Sequence, residues 1–454
     1  MAIAELRSSI TTSTPTRDTG IDLVRALCVL GVVVLHSLMV GVTVTDAGPL
    51  FANASDGAAW ITPLSWVLQV MPLFFVIGGF AGYTALRRAQ QRGGTAREFV
   101  AARIHRLVLP AVFTIGIVGV VLTVLLLNGV PADLVAIAGY RYGQPLWFLG
   151  VFLLCQALLP LFAAAHRRAP WMTITLMVAT AVAVDAVRNT TGIDGFGFMN
   201  LAFVWLALQQ LGFFFADGRI DALSRRTRTV VAVAAVAALI VTFVTGVYSP
   251  DLIANINPPT ASLLLVGVAH TMVLSIMRER VERWSRRPLP HRFLTFVTPR
   301  AMTIYLWHMP VLLAMAGVSA VFAMTTGIAL PEPSSIEWWM TRPMWLVTVV
   351  VLTAGIAFLL AGIEARRIPT PTRSAARLVA ASAIGTVAIV GLLVIGTTPV
   401  TAMIAVALLI VSLRLARPGQ GASTTDVGHS SGIAAMRSKA SESISGLVPK
   451  FTRT

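Results

Sequence analysis

GIDLVRALCVLGVVVLHSLMV, residues 20–40, is a long apolar run that nonetheless carries Asp22, Arg25 and His36. A helix needs about 20 such residues to cross a bilayer core, so the stretch predicts a transmembrane helix. Ionisable groups inside a span are costly and usually mark a pathway or a reaction site. From Arg25 to His36 a helix turns through three revolutions plus about 20°, so both side chains fall on one face, roughly 16 Å apart along the axis. Asp22 joins that face three residues before Arg25, where a carboxylate suits the helix N-terminus. The first helix therefore reads as one wall of a site.

The rest of the chain repeats the apolar theme. Its 454 residues are 56% hydrophobic and 12% charged, with a mean hydropathy of +0.80, a composition that excludes an ordinary soluble domain. Runs long enough to span fall at about 22–44, 62–85, 107–127, 145–165, 170–187, 199–216, 229–248, 260–277, 300–324, 343–362, 376–396 and 399–414. The expected fold is an all-α polytopic membrane helical bundle of about twelve transmembrane helices. The polar first twenty residues, and the absence of a small-residue cleavage site after the first run, argue against a removable signal peptide.

Arginine placement orients the bundle. Loops at one side hold Arg87 to Arg106, Arg167 and Arg168, Arg219 to Arg228, Arg278 to Arg300, and Arg366 to Arg373, whereas the alternate loops hold little beyond Arg141, Arg188 and Arg342. By the positive-inside rule both termini face the cytoplasm, in a multi-pass protein of the plasma (inner) membrane. The formal charge of +16 is thereby largely topological, and no nucleic-acid partner is implied. Residues 1–20 read as a cytoplasmic tail, and residues 415–454, rich in Ser, Thr and Gly, as a disordered one. Cys28 and Cys155 sit in apolar runs, so no disulfide framework is expected.

Few groups are available for chemistry. Arg103 and Arg106, in Arg-Ile-His-Arg before Pro110, share a helix face at the cytoplasmic surface, where guanidinium forks can grip phosphate. Spacing alone favours the plainer reading, positive-inside anchors that snorkel to the lipid headgroups. His36 suits a general base at neutral pH, although a lone membrane histidine also serves simply to hydrogen-bond a neighbouring helix. His308, in Tyr305-Leu-Trp-His308, is placed to face the same cavity, while His270 is read as structural. Gln156, Gln209 and Gln210 either line a polar cavity or join helices. Gly78-Gly79 permits close helix packing or a local unwinding, with packing the safer reading. Trp147 and Phe148 read as an interfacial aromatic belt.

Four landmarks in this order, Asp22-Leu-Val-Arg25 with His36, the Phe74-Phe75 to Phe80 stretch, Arg103-x-x-Arg106 before Pro110, and Tyr305-Leu-Trp-His308, resemble the bacterial acyltransferase family 3. These are integral membrane enzymes that acylate hydroxyl groups, often on cell-surface carbohydrates. The resemblance covers roughly residues 20–362. It implies a ten-helix acyltransferase core over 21–362 and makes 363–414 an additional transmembrane hairpin to which no task is assigned. It also implies His36 as the essential histidine, Arg25 as its partner, and Arg103 and Arg106 as the donor-binding pair, with Asp22, Tyr305 and His308 lining the site. Gly78 stands where many members have serine, and Trp147-Phe-Leu lacks the acidic residue of a common form of the family. The donor is then cytosolic acyl-CoA, chiefly acetyl-CoA. The acceptor is a hydroxyl of an envelope carbohydrate, glycolipid or similar molecule. No metal and no bound cofactor is expected. A secondary transporter or a flippase of an envelope precursor is the competing reading, although no paired interrupted helices and few intramembrane carboxylates speak for it.

Overall fold

A computed structural model describes residues 18–46, 48–366 and 368–418. The tail expectations for residues 1–17 and 419–454 lie outside the described residues. In chain order the elements are α1 (Thr19–Met39), β1 (Val40–Thr45), β2 (Gly48–Asn53), α2 (Ile61–Leu68), α3 (Met71–Gln91), α4 (Ala96–Leu127), α5 (Ala132–Gly143), α6 (Trp147–Arg168), α7 (Pro170–Thr191) and α8 (Asn200–Ala216). They continue as α9 (Arg225–Val244), α10 (Ser262–Ser285), α11 (Pro288–Val297), α12 (Ala301–Thr326), α13 (Ile336–Leu359), α14 (Ala361–Glu364), α15 (Ala375–Ile395) and α16 (Pro399–Leu415).

Among the described residues, eleven helical segments are long and apolar enough to cross a membrane, and α16, at 17 residues, is a shorter apolar helix. Each of the twelve apolar runs is thus helical over most of its length, and among the described residues the bundle is all-α apart from one hairpin. That hairpin departs from the sequence reading. The first run stops being helical at Met39, and Val40–Thr45 pairs antiparallel with Gly48–Asn53, Val40 opposite Asn53 and Thr45 opposite Gly48. Its β-branched residues prefer extended backbone, and Gly48, at φ +114°, takes a conformation open to glycine.

Helix α1 starts where Asp18 accepts a hydrogen bond from the Ile21 amide at 3.0 Å, a cap whose loss costs about 1 kcal/mol. The same carboxylate receives Arg278 at 2.8 Å, and Arg278 also pairs with Asp221. Thr19 Oγ1 lies 2.8 Å from Ser285 Oγ. The entry to α1 is therefore pinned to α10 and to the loop before α9.

The second apolar run is broken, though not at its glycines. The break falls at Gln69-Val70, between α2 and α3, ahead of Pro72. Val70 packs against Gly31 of α1, where a Cβ would stand 3.2 Å from its side chain. Gly79 instead serves close packing: a Cβ there would fall 2.2 Å from the Gln209 carbonyl oxygen on α8. Reciprocally, a Cβ on Gly212 would fall 2.1 Å from the Val76 carbonyl oxygen. Small residues let α3 and α8 touch backbone to backbone, the device by which membrane helices associate without a hydrophobic driving force.

Gln209 and Gln210 join helices. Gln209 Nε2 donates to the Cys155 carbonyl at 3.0 Å, and Gln210 Nε2 meets His166 Nδ1 at 2.6 Å. His166 in turn lies 3.1 Å from Asp217, a buried link between α6 and α8 that the sequence reading did not single out. Helices α15 and α16 pack against each other and against α4 and α6, with Gly119 facing Ala402 and Gly150 facing Val390.

Candidate active site

Two cavities approach each other inside the bundle. The larger, about 1050 Å³, extends from Arg88, Arg106 and His291 at the arginine-rich end to Tyr305 and His308 in the interior. The smaller, about 220 Å³, lies at the end that carries the β-hairpin and reaches inward to His36. Helix α1 runs past both: Asp22, Arg25 and Val29 line the larger, Leu35, His36 and Met39 the smaller, and Val32 both. The single helix face read from the sequence is thus one continuous wall.

His36 and His308 close the gap between α1 and α12. His36 Nδ1 lies 2.7 Å from His308 Nε2, with the ring centroids 5.0 Å apart and the planes 10° from parallel. His308 Nδ1 also contacts the Tyr305 carbonyl oxygen. A carbonyl only accepts, so His308 carries its proton on Nδ1 and presents a lone pair at Nε2. That lone pair takes the proton of His36 Nδ1, which leaves Nε2 of His36 unprotonated in the neutral ring. It is the remaining ring nitrogen for a molecule in the smaller cavity. The arrangement holds the His36 imidazole in one tautomer through a second histidine.

The start of α12 is fixed from below. Glu364 accepts from the Thr303 amide at 2.7 Å and from the Thr303 hydroxyl, the first satisfying one of the backbone donors that a helix N-terminus leaves open. Burial pushes the Glu364 carboxyl above the usual range, and the bonds from Thr303 oppose that shift. Tyr305 donates its hydroxyl to the Pro145 carbonyl. Its ring packs 4.9 Å from that of Phe148.

Arginines outnumber carboxylates along the larger cavity, with Arg25, Arg88, Arg103, Arg106 and Arg278 set against Asp18, Asp22 and Glu364. Arg25 pairs with Asp22 at 3.0 Å, and Arg278 is held by two carboxylates. Arg88, Arg103 and Arg106 line the same space, and among the described residues none of these three has a carboxylate at ion-pair distance. The Arg103 guanidinium stands 4.9 Å from the Phe99 ring centre. Unneutralised guanidinium groups at a cavity mouth are suited to a phosphorylated ligand.

Most of the expected site residues therefore converge: Asp22, Arg25, Arg103, Arg106, Tyr305 and His308 on the larger cavity, His36 on the smaller. His270 lines neither. Trp147 and Phe148 correct the sequence reading. Both are buried and line the smaller cavity, Trp147 stacking on Trp205 at 5.3 Å, so they are interior walls and no membrane-surface belt. Arg88, Met71 and Gln69 also line the cavities without having been singled out. The Pro72 that follows the break was the one local signal for the last two.

Residues 18–362 match the family model Acyl_transf_3, described as an acyltransferase domain. The chain belongs to the acyltransferase 3 family. It is a membrane acyltransferase, an enzyme that transfers acyl groups other than amino-acyl groups. No curated protein and no solved structure matches the chain. In this acyltransferase the matched region ends within α14, so α15 and α16 lie outside it.

Proposed function

We propose that this acyltransferase moves an acyl group, in the first instance acetyl, from cytosolic acyl-CoA to a hydroxyl group presented from the opposite face of the membrane. The acceptor class is an envelope carbohydrate, a glycolipid or a similar alcohol. The observation that carries the reading is the meeting of two cavities at the His36–His308 pair, one lined by five arginines, of which Arg88, Arg103 and Arg106 have no carboxylate at ion-pair distance among the described residues, and the other largely apolar. The arginine-rich end is assigned to the cytosol by the positive-inside rule, in the plasma membrane and with both termini cytoplasmic. Nothing in the geometry favours transport or lipid flipping.

In this mechanism Arg103 and Arg106 bind the phosphates of the donor, and the pantetheine arm runs up the larger cavity past Arg25. Asp22 holds Arg25 in place. The acceptor hydroxyl enters from the hairpin end and hydrogen-bonds Nε2 of His36. Its oxygen attacks the thioester carbonyl as His36 takes the proton. The C–O bond forms, the C–S bond breaks, and the proton passes from His36 to the departing thiolate, releasing free CoA and the ester. His308 keeps the His36 lone pair aimed at the acceptor and shares the charge of the transient imidazolium.

Sidedness tests the proposal. Inverted vesicles that carry the protein should consume externally added acetyl-CoA, and sealed right-side-out vesicles should not. Equal consumption in both, or none in either, would refute the assignment of the arginine-rich cavity to a cytosolic thioester donor.

A further inference from the structure

We infer that Val32, Met71, Phe148 and Tyr305 form a gate that the acyl group must cross, and that Met71 and Phe148 set the length of the acyl chain transferred. This rests on the proposed entry of acyl-CoA from the arginine-rich end. These four residues line both cavities, whereas His308 lines the larger alone and His36 the smaller alone. The thioester lies at the tip of the donor's flexible arm, so a donor in the larger cavity advances acyl end first. Its carbonyl reaches the free nitrogen of His36 only when the acyl carbons have passed between these side chains.

Two walls of the gate are stiff. The Phe148 ring is buried and sits 5.1 Å from that of Phe74, 5.5 Å from that of Phe152 and 4.9 Å from that of Tyr305. Tyr305 is tied by its hydroxyl to Pro145. The third wall is soft. Met71 opens α3 directly after the break at Gln69-Val70, is only partly buried, and has an unbranched, adaptable side chain.

Beyond the gate the walls suit hydrocarbon. Leu35, Met39, Met309 and Leu313 line, with His36, a mostly apolar cavity of about 220 Å³ that Gln69, Arg141 and Gln144 also border. That volume holds a short acyl chain beside the reacting hydroxyl. A pocket of this kind discriminates chain lengths through methylene-sized fits, each changing the rate about 10-fold or more.

The test uses the full-length protein in lipid nanodiscs, with a lipid extract of the cells that make it as the source of acceptor. Release of free thiol is followed from acetyl-, propionyl-, butyryl- and hexanoyl-CoA. Phe148→Ala and Met71→Ala should raise the butyryl-to-acetyl ratio of kcat/KM by about 10-fold, and Met71→Phe should confine the enzyme to acetyl. Phe148→Leu and the Met71 pair carry the test if Phe148→Ala does not fold. An unchanged chain-length profile, or an equal loss for all four donors, would overturn the gate while leaving His36-dependent acetyl consumption in place. Wild-type protein that releases no thiol in a His36-dependent way would overturn the donor reading, and the gate with it.

Discussion

His36 Nδ1 and His308 Nε2, separated by 272 residues in sequence, stand 2.7 Å apart. This bond makes α12 the partner of α1 in the site and selects the tautomer of His36. If His308 serves by holding that tautomer, His308→Ala should lower kcat by roughly 10- to 100-fold, a portion of the usual contribution of general acid–base catalysis. The donor KM should change little. His308→Gln, whose amide oxygen can accept the same proton, should recover much of the loss. Steady-state kinetics of thiol release on both variants check this, and equal activity of Ala and Gln variants would deny the positioning role.

Arg103→Ala and Arg106→Ala remove guanidinium groups that the proposed mechanism places far from the bond being broken. Each should raise the acyl-CoA KM by about 10-fold with a smaller effect on kcat, as expected for lost charge-assisted contacts that are the same in ground and transition states. Arg278→Ala should raise it less, because Asp18 and Asp221 already engage that side chain. Donor titrations on the three variants make the comparison. An Arg278 effect equal to the other two would contradict the division between phosphate-binding and structural arginines.

Gly79→Ala should destabilise the bundle by about 1–3 kcal/mol or more, because the new Cβ would meet the Gln209 carbonyl oxygen on α8. Gly355→Ala is the internal control, since nothing lies within 4 Å of a Cβ there. Thermal unfolding in detergent, followed by size-exclusion, reads the difference. A Gly79 variant as stable as the Gly355 one would show that α3 and α8 are not in backbone contact.

The membrane helices were legible because hydropathy and arginine placement report directly on bilayer crossing. The Arg25 to His36 relationship was legible too, since both lie on one helix and obey its period. What escaped depends on groups distant in sequence or on short-range exceptions to hydropathy. Val40–Thr45 is as apolar as the helix before it, so a hydropathy window extends the span through it. Its β-branched alternation and the turn before Gly48 were the signals to weigh. The break before Met71 hides in the same way, with Pro72 as its trace. That Trp147 and Phe148 face the interior follows from their packing against Trp205 and Phe75, which no local pattern encodes. The bond from His36 to His308 likewise requires the packed bundle.

In the proposed reaction the imidazole of His36 takes the proton of the attacking alcohol. The most direct measurement is His36-dependent consumption of acetyl-CoA by purified protein in lipid, comparing wild type with His36→Ala after size-exclusion has shown both to be folded. Thiol release by the wild type and its loss by a factor of at least about 100 in the variant are the predicted result. A folded His36→Ala protein that still turns over acetyl-CoA at near wild-type rate would contradict the account.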